Sequence, residues 1–338
     1  MKNIIALCDY QNRFGSKYFD YPYRSGMDKD HLVKQFRKYD WNLTYVNPAS
    51  LTRESHPHDV PVIYTAQEDS GYRYKSFIED IVFGLELSGY MTLPSYKYLR
   101  ANNNKIFMEI LRELLLPEKY QNSSKYFGCL EELQSEIGII EFPCVIKTAE
   151  GAGSRGVYLA KKRAEILTIA KKVSRSMSLY HEMWDWGRRF CHKGYRREST
   201  HRNKFIVQNY IPGLINDWKV LVFFDKYYVL RRENRPRDFR ASGSGLFSFD
   251  ERVDQDLLSA ASEINGCFDV PMISLDLAKK DETIYLIEMQ FIYFGTSTLE
   301  KSPYYYRKTS NGFEQVHSKS VLEDEYARSI SEYLRTHV

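Results

Sequence analysis

Two acidic residues interrupt apolar stretches in the C-terminal third of the sequence. Asp276 lies in ISLDLA and Glu288 in YLIEMQ, and the charged segment KKDET separates the two stretches. This pattern predicts two strands joined by a hairpin turn, which brings both carboxylates together. A carboxylate buried in such a strand is costly unless a cation compensates its charge. Gln290, two residues beyond Glu288, is predicted to project from the same face and to offer a third oxygen.

Oxygen donors of this kind suit a hard divalent cation. Mg²⁺ prefers carboxylate and phosphate oxygens in octahedral geometry. We therefore predict that Asp276, Glu288 and Gln290 bind Mg²⁺, with Mn²⁺ as an alternative. The competing interpretation is that each acid faces outward from its strand and pairs with a lysine.

A glycine-rich loop follows an apolar strand in the middle of the chain. In KTAEGAGSRGVYLAKK, Lys147 ends the strand, and Gly151, Gly153, Ser154 and Gly156 form the loop. Such glycines let backbone N–H groups approach an anion closely, so the loop is a candidate phosphate cradle. It matches neither the P-loop nor the dinucleotide fingerprint, because VYLAKK is typical of a strand rather than a helix. An ordinary hairpin turn is the alternative.

Basic residues on several elements could reach the same anion. A nucleoside triphosphate needs cations from more than one direction, because its negative charge is dense. The run RRENRPRDFR contains several arginines that could equally form a solvated loop, and Arg231 is interchangeable with Arg232 at this stage. The candidate cations are Lys105, Lys147, Lys219, Arg232 and Arg240.

The elements that must position these residues follow an α/β pattern. Residues 1–100 alternate short apolar runs with amphipathic segments, beginning with NIIALCDY, and predict a small α/β lobe. NNNKIFMEILRELL predicts a helix capped by asparagine. GIIEFPCVIKTA predicts a pair of strands that delivers Lys147 to its position.

Composition sets the broad class of the protein. The 338 residues are 43% hydrophobic and 15% aromatic, enough for a large core divided among two or three lobes. A net charge of +4 does not by itself indicate a nucleic-acid or membrane partner. The five cysteines are widely spaced without a CxxC pair, which favours a reducing cytoplasm over a disulfide framework. With no signal peptide or membrane-spanning stretch, we expect a soluble protein without a membrane partner.

Taken together, these motifs resemble the ordered set of the ATP-grasp superfamily. Lys105 in NNNKIFMEI resembles the lysine that opens the family's central lobe, and FPCVIKTAEGAGSRGV resembles its strand, lysine and phosphate-covering hairpin. KFIVQNYIPG is similar to the hinge strand whose backbone meets adenine. DWKVLVFFDKYYVLRRENRPRDFRASGSG resembles the phosphate-site segment of ribosomal-protein-modifying glutamate ligases. SLDLAKKDETIYLIEMQ resembles the paired strands with the metal-binding acids.

This resemblance, which covers residues 100–300, implies an α/β protein with the ATP-grasp fold. It implies an N-terminal Rossmann-like lobe at 1–100, before the ATP-grasp lobes. A central lobe at 101–210 carries an insertion at 174–204, and a C-terminal lobe at 211–338 carries the metal ligands. Mg-ATP is then expected between the two C-terminal lobes.

Roles for individual residues follow from the same resemblance. Arg232, Arg240 and Lys219 are implied to act in catalysis. The family often has an acidic residue where Asn209 stands, so Asn216 or Asp217 is a candidate for the ribose contact. The family usually has asparagine where Gln290 stands. The implied ATP-binding residues are Lys105, Lys147, Gly151, Gly153, Ser154, Gly156, Gln208, Asn209, Tyr210, Ile211 and Asp217.

The reaction implied is ligation of a carboxylate to an amine through an acyl phosphate, with small-molecule or peptide substrates. No protein nucleophile is needed, because phosphoryl transfer depends on positioning and charge stabilisation. Two alternatives remain open: a kinase that phosphorylates a small molecule, and a non-catalytic ATP-binding assembly protein. ATP and Mg²⁺ are expected as cofactors in each case.

Two further segments carry chemistry-bearing side chains. Residues 174–204 are basic and rich in aromatics, and we predict a helical lid or an oligomer contact such as a homodimer interface, in preference to nucleic-acid or metal binding. The loop after the first strand holds Arg13, Lys17 and Arg24. Ligands gather at the carboxyl ends of strands in α/β sheets, so these three are candidates for substrate contact; a basic surface loop is the alternative.

Overall fold

The computed structural model describes residues 1–15, 17, 26–51, 59–66, 69–151, 156–235, 238–240, 245–250 and 252–337. Among these the chain forms two compact units. One unit combines Met1–Asn102 with Leu214–Val338, and the other is Asn103–Gly213. The first unit is therefore assembled from both ends of the chain.

The N-terminal part of the first unit is a parallel sheet with helices. Its strands are ordered β2-β1-β3-β4. The Asp28 side chain caps the first long helix by accepting a hydrogen bond from His31 N. The strands are β1 (Lys2–Leu7), β2 (Trp41–Val46), β3 (Val62–Tyr64) and β4 (Thr92–Leu93), and the helices are α1 (Lys29–Lys38), α2 (Pro48–Leu51), α3 (Arg73–Leu87) and α4 (Tyr96–Ala101).

The second unit is an antiparallel four-stranded sheet, ordered β5-β8-β6-β7, with helices packed on it. Asn104 caps α5 by accepting from Phe107 N, as the run of asparagines predicts. The elements are α5 (Lys105–Leu115), β5 (Ser124–Phe127), α6 (Leu130–Ser135), β6 (Cys144–Thr148), β7 (Val157–Ala160), α7 (Arg163–Ser174), α8 (Leu179–Cys191) and β8 (Phe205–Asn209).

The segment before Lys147 differs from the prediction. Instead of a pair of strands, the chain forms a 3-10 helix at Ile137–Ile139 and then the single strand β6. Pro143 immediately precedes β6, and proline has no N–H to donate to a sheet ladder. The prediction of two strands here was therefore wrong, although Lys147 still lies on a strand.

The C-terminal part of the first unit is a large sheet. Six strands follow the order β13-β12-β9-β10-β14-β15, and β11 pairs with β10. The elements are β9 (Asn216–Phe223), β10 (Lys226–Glu233), β11 (Phe247–Ser248), α9 (Gln255–Gly266), β12 (Met272–Lys280), β13 (Thr283–Gln290), α10 (Ser297–Lys301), β14 (Tyr305–Thr309), β15 (Gly312–Val316) and α11 (Leu322–His337).

Each unit has its own core. In the first unit, Ile4 and Phe36 from the N-terminal part share a cluster with Leu221 and Ile330 from the C-terminal part. In the second unit, Phe205 and other apolar residues of the sheet pack against helices α6 and α7. No helix among the described residues has both the length and the apolar character to cross a membrane.

Candidate functional site

A row of charged side chains crosses four neighbouring strands of the large sheet. Glu288 on β13 lies opposite Asp276 on β12, and Asp276 lies opposite Lys219 on β9. Arg232 on β10 lies opposite Asp217, two residues before Lys219. Residues directly opposite in a sheet, and residues two apart in one strand, project from the same face. All five side chains therefore belong to one polar face, which we call the acid–base face.

The opposite face explains why this polar row is held in place. Leu275 and Leu277 flank Asp276 and are fully buried, as is Val220 beside Lys219. Alternation along each strand directs the apolar side chains to the core, so the charged side chains must take the other face. The predicted hairpin between Asp276 and Glu288 is present, and a bulge after Asp276 adjusts its register.

Arg232 is the central cation of the acid–base face. Its Nε lies 2.5 Å from Asp217 Oδ1, and its Nη2 lies 2.8 Å from Asp276 Oδ2. Lys219 Nζ lies 3.6 Å from Asp276 Oδ1. The side chains of all four residues are only 11–13% exposed. Two carboxylates and two cations thus balance in charge, as buried ions require.

The two carboxylates respond differently to this surrounding. Burial, together with the negative charge of Asp276, raises the pKa of Asp217 to about 6 although Arg232 opposes the shift. Burial also acts to raise the pKa of Asp276, but Arg232 and Lys219 outweigh it and hold that pKa below its usual value. Burial opposes the charge of Arg232, yet the two carboxylates raise its pKa further. Asp276 and Arg232 therefore form the permanently charged pair, and Asp217 is the group able to take up a proton.

Oxygen atoms on this face are available to a cation. Asp276 Oδ1, the atom 3.6 Å from Lys219 Nζ, and Ser274 Oγ are buried and have no hydrogen-bond partner among the described residues. Ser274 lies opposite Gln290 and two residues before Asp276, so it belongs to the same face. Glu288 is half-buried and makes no ion pair with a described residue. These hard oxygen donors fit Mg²⁺, and buried oxygens left without hydrogen bonds are otherwise costly.

Sequence reasoning missed Ser274 because it searched for acids and amides. The sequence does contain a clue to Ser274: it lies two residues before Asp276, and residues two apart in a strand project from the same face. Among the described part of the chain, no three His, Cys, Asp or Glu side chains come together to hold a metal. The oxygen set here is of another kind: two carboxylates, one amide and one hydroxyl.

The two arginines that the sequence leaves interchangeable lie on opposite faces. Arg231 Nε pairs with Glu233 Oε1 at 2.9 Å and is about one-third exposed, away from the acid–base face. Asn216 shares that face, and its amide, oriented to accept, lies 3.0 Å from Arg231 Nη2. Arg240 is bound to Asp238, two residues earlier, through Nε at 2.9 Å and Nη2 at 2.7 Å. Arg240 is therefore held within its own loop.

In the second unit, Lys105 joins the start of α5 to the glycine loop. Its backbone N donates to Ala149 O at 2.8 Å, and its Nζ donates to Gly151 O at 2.8 Å. Only 6% of Lys105 is exposed. The ammonium is therefore bonded to the loop's first glycine rather than directed to solvent.

The glycine hairpin begins directly after Lys147. Lys147 is half-buried on β6, opposite Val157 on β7 and Ile206 on β8. Gly156 has φ +80°, and a Cβ there would lie 2.4 Å from Thr148 Oγ1. Only glycine satisfies both conditions. Gly153 and Ser154 lie outside the described residues.

The predicted hinge strand is β8. Gln208 is 2% exposed, and its Nε2 donates to Ser124 Oγ at 2.8 Å. Its backbone belongs to ladders with β5 and β6 on both sides. The predicted adenine-contacting residues Tyr210 and Ile211 lie just beyond the strand and are half-buried. Asn209 is exposed and its Nδ2 contacts Glu141 Oε2 at 3.3 Å.

The candidates in the N-terminal loop make internal ion pairs. Arg13 Nε lies 2.9 Å from Asp9 Oδ2, and Lys17 Nζ lies 3.0 Å from Glu323 Oε1 on α11. Both acids are almost fully buried. Arg24 lies outside the described residues. Arg13 and Lys17 are thus each paired with a buried acid of the first unit.

Comparison with known proteins identifies the fold. No protein-family model matches the sequence, and no curated protein has a similar sequence. The structure resembles a RimK domain protein ATP-grasp from Sphaerobacter thermophilus, with TM-score 0.52, 11% identity, and coverage of 98% of this chain and 99% of that chain.

Two other solved structures are similar over the same extent. D-cycloserine synthetase has TM-score 0.55 and 10% identity, with coverage of 98% of this chain and 99% of that chain. D-alanine–D-alanine ligase from Bacillus anthracis complexed with ATP has TM-score 0.54 and 13% identity, with coverage of 99% and 98%. The α/β fold of this chain is therefore the ATP-grasp fold that the motifs predict.

Proposed function

We propose that this protein is an ATP-dependent ligase that joins a carboxylate to an amine, with ADP and inorganic phosphate as the other products. The observation that carries the proposal is the acid–base face, where Arg232 and Lys219 surround Asp276 and a buried carboxylate oxygen has no hydrogen-bond partner in the described part of the chain. The ATP-grasp fold and the glycine hairpin after Lys147 support it. The solved structures of similar fold include enzymes named as synthetases and ligases.

Nucleotide binding is assigned to the second unit. Lys147 and the hairpin N–H groups bind phosphate oxygens, and the backbone of Tyr210 and Ile211 meets the adenine. Lys105 positions the loop, because its ammonium donates to Gly151 O. Gln208 acts inside the unit through Ser124, so its part is to fix the hinge strand.

Phosphate activation is assigned to the acid–base face. Asp276, Glu288 and Gln290 hold Mg²⁺, joined by Ser274, and the bound ion supplies charge neutralisation of the phosphates. Arg232 and Lys219 stabilise the negative charge of the transferred phosphoryl group. Arg240 is paired with Asp238 and must break that ion pair before it can contact the transferred phosphoryl group. We therefore assign it a role in stabilising that group only when substrate is bound.

The reaction has two balanced steps. A substrate carboxylate oxygen attacks the γ-phosphorus of ATP, and ADP leaves, giving an acyl phosphate. An amine nitrogen then attacks the acyl carbon and loses a proton, and inorganic phosphate leaves with the electrons of the C–O bond. No side-chain nucleophile takes part, because phosphoryl transfer depends on positioning and charge stabilisation, which the charged groups of this face supply.

Hydroxylamine tests this chemistry without knowledge of the natural amine. The protein is incubated with Mg-ATP, a panel of amino and dicarboxylic acids, and hydroxylamine, which attacks acyl phosphates. We expect hydroxamate and phosphate in equal amounts for one or a few acids, and none with Asp276→Asn. Arg231→Met, altered on the opposite face, is the matched control and should retain activity.

The same assay separates the alternatives. ADP formed together with a phosphorylated product that resists hydroxylamine indicates a kinase and contradicts the proposal. Mg-ATP binding without turnover under any substrate mixture indicates a non-catalytic ATP-binding protein. Either result would leave the ATP-grasp fold unaffected.

A further inference from the structure

Helix α8 has its polar and apolar faces reversed relative to an ordinary surface helix. Such a helix buries its apolar stripe and exposes its polar side. In α8, Asp185 is the buried residue, whereas six large apolar side chains are 53–74% exposed. We call these six the α8 apolar face: Leu179, Tyr180, Met183, Trp184, Trp186 and Phe190.

Specific contacts hold the polar side of α8 against the second unit. Tyr195 Oη donates to Asp185 Oδ1 at 2.6 Å, and Arg197 Nε donates to Asp185 Oδ2 at 3.0 Å. Arg175 Nη2 lies 2.5 Å from Glu182 Oε1 on the same side of the helix. The outward orientation of the apolar face is therefore fixed by charged anchors and is not a consequence of loose packing.

The apolar face is a continuous stripe. Leu179, Met183, Trp186 and Phe190 follow the i, i+4, i+7, i+11 spacing of one helix face. Adding Tyr180 and Trp184 widens the stripe to an arc of about 160°, at about 100° per residue. Met183 lies nearest the middle of the arc, Leu179 lies about 20° from one edge, and the two tryptophans form the edges. An apolar face of this size that none of the described residues covers marks an interaction surface.

Positive charge surrounds the stripe. Residues 174–204 contain eight Lys and Arg against three Asp and Glu, a formal charge of +5, whereas the whole chain carries +4. The rest of the chain is therefore slightly acidic, and the basic excess is concentrated here. Arg188, Arg189 and Lys193 are all exposed at the border of the stripe or just beyond it.

A broad depression borders the Trp184 edge of the helix. Its volume is about 570 Å³, and its lining includes Tyr180, Trp184 and Arg188. Asp185 and Glu198 also line it, and Glu198 pairs with Arg202 at 2.6 Å, so Arg188 is the cation of this depression that can meet an anion. Aromatic rings and a guanidinium group thus lie side by side along the border of the apolar face. Phosphate groups suit such cations, because arginine recognises phosphate with paired donors.

We propose that α8 binds the surface of an anionic phospholipid bilayer, lying parallel to it with its apolar face in the acyl boundary. Leu179, Met183 and Phe190 enter the apolar layer, and the two tryptophans take the interfacial depth that this residue prefers. Arg188, Arg189 and Lys193 contact the lipid phosphates. With 13 residues, α8 lies on the bilayer and does not span it.

The sequence-based expectation of no membrane partner rested on the lack of a spanning segment, and surface attachment needs none. A second copy of the chain fits this surface less well, because two-fold contact would bring two groups of like charge together. Single-stranded nucleic acid also fits less well, because it stacks on aromatic platforms, and here the aliphatic Leu179 and Met183 lie among the four aromatic side chains.

Vesicle sedimentation tests the proposal with the full chain. Vesicles of phosphatidylcholine alone are compared with vesicles that also contain phosphatidylglycerol, at low salt. We expect binding to the anionic vesicles to be at least about tenfold stronger, and weaker as salt rises. In the bound protein, brominated lipids should quench Trp184 and Trp186, which are two of the four tryptophans.

Variants identify the surface involved. Met183→Ser with Phe190→Ser should lower vesicle binding at least about tenfold, because both side chains are more than 70% exposed and lie inside the stripe, between its two tryptophans. Leu114→Ser is the matched control, because Leu114 is 73% exposed on α5 in the same unit, outside the stripe. It should bind vesicles as the parent does.

Several results would overturn the proposal. Equal binding to neutral and anionic vesicles, or none, contradicts it, as does the absence of quenching by brominated lipids. Concentration-dependent association that Met183→Ser with Phe190→Ser abolishes would assign the face to a second copy. Tight binding of single-stranded DNA that the same variant abolishes would assign it to nucleic acid.

Discussion

Replacing Arg232 with methionine removes the cation that two buried carboxylates share. The change keeps much of the side-chain volume but deletes the ion pairs at 2.5 Å to Asp217 and 2.8 Å to Asp276. Lys219 remains 3.6 Å from Asp276. Breaking a buried ion pair by removing one partner costs about 3–5 kcal/mol. Because Lys219 still compensates one acid, we expect the lower end, about 3 kcal/mol.

The expected loss of unfolding free energy can be expressed as a change in melting temperature. For a domain of 150–250 residues, about 1 kcal/mol shifts Tm by about 2–4 °C, so Arg232→Met should lower Tm by about 6–12 °C at pH 7. The deficit should shrink at pH 5, because Asp217 can then be protonated and no longer needs a cation. Thermal unfolding followed by circular dichroism without Mg²⁺ measures both values.

Arg231→Met is the control for this experiment. Arg231 is adjacent in sequence and of the same type, but its pair with Glu233 is one-third exposed, so its loss should cost no more than about 1 kcal/mol. Millimolar Mg²⁺ should raise the Tm of Arg232→Met more than that of Arg231→Met, because the cation replaces the lost positive charge. If Arg232→Met melted within about 2 °C of the parent, or if Arg231→Met were the more damaging change, the electrostatic account of this face would be refuted.

The remaining predictions concern single side chains. Lys147→Ala should weaken ATP binding at least about tenfold with the fold intact, since a charge-assisted contact is worth about 1.5–3 kcal/mol; unchanged affinity by calorimetry would remove Lys147 from the site. Glu288→Gln should abolish ATP turnover yet be at least as stable as the parent without Mg²⁺, because it relieves repulsion between acids; near-normal turnover would exclude the metal role. The raised pKa of Asp217 favours its protonated form in the folded state, so it contributes stability below pH 4 that is lost as pH rises toward 6, on the order of 3 kcal/mol. Asp217→Asn should flatten that decline in urea titrations; an unaltered pH profile would contradict the assignment.

Local patterns in the sequence predict the hairpin and several other elements. The alternation around Asp276 and Glu288 and the charged turn between them predict two paired strands, because strand alternation and turn composition are local properties. The asparagine run before Lys105 predicts a helix start for the same reason.

Local sequence patterns do not predict contacts between strands that are distant in the sequence. That Arg232 rather than Arg231 faces Asp276 depends on the register of β10 with β9 and of β9 with β12, which the sequence of β10 alone does not contain. Ser274 becomes notable only when its buried oxygen is found without a partner. The internal position of Gln208 depends on strands paired on both sides of β8.

The orientation of α8 shows the same limit more strongly. Its spacing predicts an amphipathic helix, and the usual rule places the apolar face inward. The observed reversal comes from Asp185, whose partners Tyr195 and Arg197 lie 10 and 12 residues further along the chain. The spacing of residues in a helix shows which side chains share a face, whereas tertiary contacts decide which face is buried.

Diffraction from crystals grown with Mn²⁺ and a non-hydrolysable ATP analogue tests the central claim most directly, because the anomalous signal of manganese locates the cation. The account predicts a peak within ligand distance of Asp276 and Glu288 oxygens, with triphosphate oxygens in the same shell. Manganese absent from Asp276 while that carboxylate keeps its ion pair with Arg232 would contradict it.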